Sequence, residues 1–245
     1  MRDILKKTYP LTATDIDNHR RLRLSNLLAY LQNMATEHAI EMGLEGDKMI
    51  REHGVVWMLA RMHLEFTRPI VYDDGEIEIH TWHRGVTKSA AVFRDFDIFV
   101  NGERVGEAVS SWVLADIKER KIVKPSSIPA LMDSPRPAVV KELIPAKVKM
   151  PPELRHIMTR PVYYSDTDIN GHMNNIKYAD IACDAIGYAG FREDFPAEVQ
   201  IGYVQECFPG EEILVQTACE GDVHFVRGID GDGKSRFEVR MVMGS

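Results

Sequence analysis

The chain has 245 residues, a net charge of −7 and a pI near 5.7. This acidic balance argues against binding to nucleic acid or to an anionic membrane, because both need a positive field. No apolar run reaches the roughly eighteen residues of a membrane-spanning helix, and residues 1–7 lack the apolar stretch of a secretory signal. The composition therefore predicts a cytoplasmic globular protein without membrane insertion.

The first long element is predicted to be an amphipathic helix, because apolar residues recur at three- and four-residue spacing before Gly43. Its apolar face comprises Leu24, Leu27, Leu28, Leu31, Met34, Ala35 and His38. A short additional helix is expected between Gly46 and Gly54. Segments rich in β-branched and aromatic residues then predict strands at 55–66, 76–83, 90–100 and 104–115.

A proline-rich stretch lies between Lys124 and Arg160, with prolines at 125, 129, 135, 137, 145, 151 and 152. Proline disfavours regular structure over much of this stretch. We therefore predict an N-terminal domain at 1–124, a linker at 125–160 and a C-terminal domain at 161–245.

The C-terminal part repeats the order of the N-terminal part. A second helix is predicted on the face formed by Ile176, Ala179, Cys183 and Ile186, and Asn174 and Asn175 stand where an N-cap belongs. Strands are expected at 199–206, 212–220, 223–229 and 235–242. The layout predicts an α+β fold, in which each helix is wrapped by an antiparallel sheet and the halves pair edge to edge or face to face.

Two short echoes support a duplication. Residues 14–19, T-D-I-D-N-H, share four of six letters with residues 167–172, T-D-I-N-G-H, at an offset of 153. Residues 76–81 resemble residues 212–217 at an offset of 136. In this alignment Asp17 replaces Asn170, so the first copy keeps the loop without its full polar set.

The loop 164–175 places an acid, amides and an imidazole directly before the second helix. The free N–H groups of a helix N-terminus suit an oxygen that becomes negative when a carbonyl is attacked. An alternative interpretation is that Asp168 and Asn170 form ordinary turns and that His172 is a partly buried structural histidine.

Residues 168–178, D-I-N-G-H-M-N-N-I-K-Y, resemble the signature of the plant and bacterial fatty acyl-acyl carrier protein thioesterases. The resemblance continues at residues 203–207, Y-V-Q-E-C, which are similar to a second motif of that family. It implies a tandem, or double, hotdog fold over nearly the whole chain, with a catalytic C-terminal half and an acyl-chain pocket in the first half, which contains Trp57, Trp82 and Trp112.

The resemblance implies a catalytic group of Asp168, Asn170, His172 and Glu206, with Cys207, Asn174 and Asn175 as accessory residues. In the preferred mechanism Glu206 takes a proton from water, while Asn170 and His172 hold that water and the thioester carbonyl. Direct attack by Glu206 to form a mixed anhydride is the alternative. Cys207 could act as a nucleophile, although a cysteine in a strand is more often a core residue.

The resemblance also implies an acidic acyl carrier protein as partner. Candidate docking groups form two basic clusters, one of Arg20, Arg21 and Arg23, the other of Lys118, Arg120, Lys121 and Lys124. Coenzyme A remains an alternative carrier, and the chain could be a monomer or a homodimer. Neither a metal nor an organic cofactor is expected, since no metal-ligand spacing or glycine-rich phosphate loop is present.

Two other functions on the same fold remain open. Hotdog hydratases use an aspartate and a histidine before the helix, typically spaced Asp-x-Asn-x-x-His, whereas His172 comes one position earlier here. A non-enzymatic acyl sensor would have no need for the full polar set.

Overall fold

A computed structural model of the chain describes residues 3–86, 90–132 and 142–245. The central part of the predicted linker lies outside these residues. None of the helices in the described ranges is long and apolar enough to cross a membrane.

The first half consists of one long helix against five main strands. Its elements are β1 (Leu5–Pro10), α1 (Leu24–Glu41), α2 (Gly46–His53), β2 (Val55–Phe66), β3 (Glu76–Val86), β4 (Ala91–Val100), β5 (Glu103–Asp116), β6 (Ile122–Val123) and the single turn α3 (Pro129–Met132). All seven residues of the predicted apolar face of α1 are buried.

The second half repeats this order with a shorter helix. Its elements are β7 (Arg155–Pro161), α4 (Lys177–Ile186), β8 (Phe195–Tyr203), β9 (Glu212–Glu220), β10 (Val223–Ile229) and β11 (Ser235–Gly244). β7 begins inside the stretch predicted as linker and contains its last residues. The residues of α4 that are buried are Tyr178, Ala179, Ile181 and Ala182, so the buried face only partly matches the predicted one.

All strands join one eleven-stranded antiparallel sheet, in the order β1-β3-β4-β5-β2-β8-β11-β10-β9-β7, with β6 beside β5. Each half has the same internal order, which confirms the expected double hotdog architecture. The halves meet edge to edge through β2 and β8, where residues 61–65 pair with residues 198–202. Each helix packs on its own half of the sheet, and one core cluster includes residues of both helices and both halves.

Candidate active site

The loop that precedes α4 is anchored by an ion pair between half-buried Arg160 and buried Asp166. Both guanidinium nitrogens of Arg160 donate to the carboxylate of Asp166, each at 2.7 Å, and the same carboxylate accepts from Tyr163 N. Burial by itself would raise the pKa of Asp166, but these hydrogen bonds bring it below its ordinary value. The loop therefore leaves the sheet edge in a fixed direction.

The backbone of the loop then turns around Asp168. Its carboxylate accepts from Asn170 N at 2.8 Å, and Asp168 N donates to His172 O at 3.0 Å. Gly171 takes a φ of 80°, a conformation that glycine adopts without strain. This turn directs the imidazole of His172 back towards Asp168.

Three of the predicted catalytic side chains converge. His172 Nδ1 lies 3.8 Å from Asp168 Oδ1, and His172 Nε2 lies 3.7 Å from Glu206 Oε1. Both distances exceed a direct hydrogen bond, so each gap can be bridged by water or closed when substrate binds. Glu206 is 47% exposed and Asp168 only 9%, so water reaches the Glu206 end of the imidazole most readily.

Asn170 is placed differently from the other three. It lies at the exposed tip of the turn beside Ile169, and its backbone N–H is the group that contacts Asp168. Among the described residues its side chain makes no hydrogen bond to His172 or Glu206. The structure thus joins Asn170 to the site through the backbone.

Glu206 does not lie in a strand, contrary to the sequence expectation. β8 ends at Tyr203, because Val204 N and Gln205 N both donate to Arg236 O and the regular pairing stops there. Arg236 also donates to the carbonyl of Glu206 at 2.6 Å. The guanidinium is itself held by Glu211 and Asp230. This contact fixes the backbone of Glu206 while its carboxylate stays exposed.

Cys207 is fully buried beside the site. Its carbonyl accepts from Met173 N at 2.8 Å, which ties the loop 204–211 to the loop before α4. Burial raises the pKa of its thiol, although a hydrogen bond with Tyr178 opposes the shift. A neutral buried thiol is a poor nucleophile.

The start of α4 differs from the prediction. The helix begins at Lys177 with Ile176 as N-cap and without a side-chain cap, so Asn174 and Asn175 precede it. Asn174 Oδ1 accepts from Ile176 N, and Asn174 O accepts from Lys177 N. Two N–H groups at this helix end are therefore already bonded, which leaves fewer donors for a substrate oxygen than expected.

The loop before α1 shows which residues correspond to the site. Asp17 Oδ1 accepts from His19 N, and Asp17 N donates to Arg21 O, as Asp168 does with Asn170 and His172. The structural offset is 168 − 17 = 151, not the 153 taken from the letters. Asp17 is thus the counterpart of Asp168, and the earlier pairing of Asp17 with Asn170 is wrong.

By the same offset, Arg21 is the counterpart of His172. Leu22 N donates to Ile70 O in the same way as Met173 N donates to Cys207 O, so Pro69 is the counterpart of Glu206. The first half has therefore kept the turn but holds neither an imidazole nor a carboxylate at the two outer positions. Arg21 instead donates to the carbonyls of Phe191, Glu193 and Asp194 in the other half.

Two clefts lie between elements of the two similar halves. A narrow slot with a free volume of about 10 Å³ runs from Asn175, Ile176 and Tyr203 into the first half. A larger cavity of about 720 Å³ lies beside the loop of Asp17 and is bordered by α4. The second cleft is larger, but it is the slot that touches, at Asn175, the loop that carries His172.

Sequence reasoning missed two arginines that hold the site, Arg160 and Arg236. A signal for the first was present. Residues 160–166, R-P-V-Y-Y-S-D, resemble residues 68–74, R-P-I-V-Y-D-D, and Arg68 pairs with Asp74 in the same bidentate way. Arg236 had no comparable motif.

The duplicated hotdog fold, with an acid–imidazole–acid set formed between the loop before α4 and the loop after β8, defines a double-hotdog protein with a polar site in its second half. Residues 2–127 match the acyl-ACP thioesterase N-terminal domain family, and residues 151–244 match the acyl-ACP thioesterase C-terminal domain family. The chain belongs to the acyl-ACP thioesterase family, which confirms the resemblance seen in residues 168–178 and 203–207.

Relatives of known name agree with this assignment. A dodecanoyl-[acyl-carrier-protein] hydrolase of Cinnamomum camphora is 24% identical over 83% of this chain and 56% of its own length. An oleoyl-acyl carrier protein thioesterase of Arabidopsis thaliana is 25% identical over 74% of this chain and 54% of its own. The chain spans about half the length of the curated relatives it matches.

Solved structures share the fold along the whole chain. An acyl-ACP thioesterase from Bacteroides thetaiotaomicron superposes with a TM-score of 0.83 at 20% identity, covering 99% of this chain and 98% of that one. The 12:0-ACP thioesterase from Umbellularia californica gives a TM-score of 0.82 at 20% identity, with 100% and 98% coverage.

Proposed function

We propose that the chain hydrolyses the thioester of a fatty acyl group carried on acyl carrier protein and releases the free fatty acid, which ends chain elongation. The observation that carries this proposal is the imidazole of His172 between the carboxylates of Asp168 and Glu206, in a loop whose Asn175 borders an apolar slot. Family membership supports the same reaction class.

In the proposed mechanism Glu206 accepts a proton from the attacking water. Its carboxylate is solvent-accessible and 3.7 Å from His172 Nε2, so one water can contact both groups. Asp168 orients the imidazole from the opposite side and is itself fixed by Asn170 N. Asn170 contributes through this backbone contact, while the amide of Asn175 at the slot mouth can face the thioester carbonyl.

The geometry favours water over a thiol as nucleophile, since Cys207 is buried and its pKa is raised. Attack by Glu206 itself would form a mixed anhydride. Label in the Glu206 carboxylate after a single turnover in water enriched in heavy oxygen supports the anhydride route, in which water attacks the glutamyl carbon and the fatty acid leaves with an unlabelled oxygen from Glu206. General-base catalysis places the label in the fatty acid and none in Glu206.

We propose that the first half, residues 1–124, holds the acyl chain and that residues 161–245 carry the chemistry. The slot runs under α1 and is lined there by Leu28, Leu31, Ala35 and Trp112. The other two tryptophans have different roles. Trp57 belongs to a second core cluster with α2, and Trp82 alternates with Thr81 on β3 and so points to the opposite face of the sheet.

For the carrier protein, the structure favours the cluster at residues 118–124 over that at residues 20–23. Arg20 already pairs with Asp73, and Arg21 is occupied by backbone carbonyls. Lys118, Arg120 and Lys121 are exposed on one turn. The cytoplasmic location and the choice between monomer and homodimer stay predictions.

The proposal is tested by measuring thiol release from a panel of acyl-acyl carrier proteins and acyl-CoAs, with mass spectrometry of the acyl product. Free fatty acid, formed faster from the carrier protein than from coenzyme A, supports the proposal. A hydrated or dehydrated thioester would instead indicate a hydratase. Binding without any conversion would indicate a sensor.

A further inference from the structure

Exposed apolar side chains surround the proposed active site. In the loop before α4, Ile169 is 98% exposed and Tyr164 is 95% exposed. Tyr163 in the same loop, and Val204 and Phe208 in the loop after β8, are each about half exposed. The ring of Phe208 also lies edge-on to the imidazole of His172, with the ring centroids 6.4 Å apart. We name Tyr163, Tyr164, Ile169, Val204 and Phe208 the apolar rim.

Each residue of the apolar rim has a counterpart in the first half. Tyr163 N and Thr12 N each donate at 2.8 Å to the aspartate three residues later. Phe208 N and Val71 N likewise each donate to an acidic side chain three residues later. The offsets of 163 − 12 = 151 and 208 − 71 = 137 give the full set of counterparts, which is Thr12, Ala13, Asn18, Thr67 and Val71.

The shared backbone does not require apolar side chains at these positions. Thr12, Ala13, Asn18 and Thr67 are exposed like the rim, but each of them is small or polar. An apolar side chain that stays in water contributes nothing to folding, because it buries no surface. A cluster of such side chains is typical of a surface where a partner binds.

Backbone hydrogen bonds join the two loops and make the rim one surface. Val162 N donates to Glu211 O, and Gly210 N donates to Val162 O. Further along, Met173 N donates to Cys207 O. The rim side chains are thus presented on a fixed frame, which lowers the entropy cost of binding a partner.

The rim suits a protein that brings substrate to the site. A small ligand is enclosed by its pocket, whereas Tyr164 and Ile169 project into solvent. Tyrosine and phenylalanine are enriched in protein interfaces. The carboxylate of Glu206, within the same loop as Val204, is 47% exposed and is unfavourable beside an anionic lipid headgroup. A second copy of the chain seated here would cover Glu206 and close the site.

The rim lies at the same end of the sheet as the exposed basic turn at residues 118–121. β5 and β8 both run antiparallel to β2, so both strands end at the same side of the sheet. Gly202 and Ser111 both pair with Arg61, and β5 then continues to Asp116. The two strand ends are therefore two strand spacings apart across the sheet and about 17 Å apart along it. A folded domain about 30 Å wide can contact both surfaces.

Resting on the proposed function, we propose that the apolar rim is the docking surface for the body of the acyl carrier protein. A carrier-bound thioester reaches His172 when the carrier rests against the loops around it, and the rim side chains are then buried. The basic turn supplies a second, electrostatic contact. Docking on the rim raises kcat/KM for carrier-bound thioesters and leaves carrier-free thioesters unaffected.

The experiment exchanges two rim residues for their first-half counterparts in the double variant Tyr164→Ala, Ile169→Asn. The same backbone already carries alanine and asparagine in the first half, so we expect the variant to fold, which circular dichroism checks. Its kcat/KM for an acyl-acyl carrier protein should fall about tenfold, while that for the acyl-pantetheine with the same acyl group should change by less than about twofold. Tyr72→Ala, an exposed tyrosine beside the loop of Asp17, is the control and should change neither value.

Ionic strength separates the rim from the basic turn. The loss in the rim variant should persist in high salt, because apolar burial is not screened. The loss in Lys118→Ala, Lys121→Ala should shrink under the same conditions. A rim effect that disappears in high salt would overturn apolar docking.

Binding of a fluorescently labelled holo-acyl carrier protein, followed by anisotropy, gives a readout that is independent of hydrolysis. Weaker binding by the double variant, with normal binding by Tyr72→Ala, supports the docking surface. Equal binding by the wild type and the folded double variant overturns it, whatever the hydrolase assay shows. A wild-type chain that binds the carrier through the rim but hydrolyses no thioester contradicts only the proposed function.

Other occupants of the rim give different results. Unchanged carrier kinetics in the double variant, together with lost binding to phosphatidylcholine vesicles, would assign the rim to a lipid surface and overturn the inference. Unchanged kinetics with a dimer that becomes a monomer in sedimentation would assign it to a second copy, with the same consequence.

Val204→Thr covers the case in which the double variant does not fold. It introduces the residue of the counterpart Thr67 and should lower kcat/KM for the carrier-bound thioester about threefold, without a change for the acyl-pantetheine. If Val204→Thr hydrolyses the carrier-bound thioester as fast as the wild type does, the inference is wrong.

Discussion

The loops before α1 and α4 share a backbone but differ in chemistry. Both turn around an aspartate that accepts from the N–H two residues later, and both place a residue with positive φ three positions after it, Arg20 at 61° and Gly171 at 80°. They differ at two positions, because the first half has Arg21 where the second half has His172, and Pro69 where the second half has Glu206. The comparison indicates that the turn itself is structural, and that residue differences at two positions separate the first-half loop from the proposed active site.

The largest expected effect follows removal of the two groups that the first half lacks. Glu206→Gln and His172→Ala should each lower kcat by about a hundred- to ten-thousandfold, because the first removes the proposed base and the second removes the group that holds the attacking water beside it. Thiol release measured alongside circular dichroism checks this. Arg21→Ala, at the counterpart of His172, should leave kcat within a few fold. A comparable loss of kcat in Arg21→Ala would contradict the assignment of the chemistry to the loop before α4 alone.

Substitutions of Asp168 and Asp17 should have similar effects on stability but different effects on activity. Asp168→Ala and Asp17→Ala both remove a turn acceptor and should each destabilise the chain by about 1 kcal/mol. Only Asp168→Ala should also reduce kcat, by tenfold or more, since Asp168 lies beside the imidazole of His172. Chemical denaturation paired with kinetics makes the comparison. Equal kinetic losses would show that Asp168 acts through the turn alone.

The two arginine–aspartate pairs offer a matched test of acid stability. The pKa of Asp166 is depressed, so its stabilising contribution is present above its unfolded pKa of about 3.9 and is lost as the pH falls through the lower folded value. Arg160→Met should destabilise the chain by about 3 kcal/mol at neutral pH. Without Arg160, burial raises the pKa of Asp166, so acid unfolding should begin at a higher pH.

Arg68→Met breaks a similar bidentate pair, with Asp74, beside the loop of Asp17 and is the control. It should also destabilise the chain, while the kcat of the remaining folded protein stays near the wild-type value. Acid titrations followed by fluorescence, with kcat measured at neutral pH, compare the two variants. An unmoved acid transition in Arg160→Met would contradict the role given to this pair.

The smallest expected effect on catalysis belongs to Cys207→Ala. The thiol is buried and its pKa is raised, so its removal should change kcat less than threefold, while the cavity costs about 1 kcal/mol of stability. Thiol-directed alkylation of the folded chain should likewise leave activity intact. A large loss of kcat with normal stability would restore Cys207 as a nucleophile.

Periodicity predicted the fold well where one face of an element is buried. The whole apolar face of α1 was found from its three- and four-residue spacing, and the four long strands after it were found from their β-branched and aromatic residues. β1 and β7 were missed because both are edge strands, and β1 buries little beyond Leu5. Such strands form by backbone pairing with a neighbour, which leaves a weak pattern in the residues.

The site was less predictable than the fold. Motif resemblance placed Asp168, His172 and Glu206 in one group, and the structure brings them together. The two-residue error in aligning the loops arose because the letters T-D-I match at Asp15, whereas the hydrogen bonds match at Asp17. The two loops share the same hydrogen bonds, but the residue types at equivalent positions differ. An alignment of residue identities alone does not show this correspondence.

The strand pairing of β2 with β8 has a consequence for how the site responds to dilution. Two separate hotdog chains would form such a strand pairing only by associating as a dimer. The site that they share would then be lost when the dimer dissociates at low concentration. Here both edges belong to one polypeptide, so the strand pairing forms at an effective concentration set by the connecting segment. The occupancy of the assembled site then becomes independent of how much protein is present, and each half is free to specialise without losing its partner.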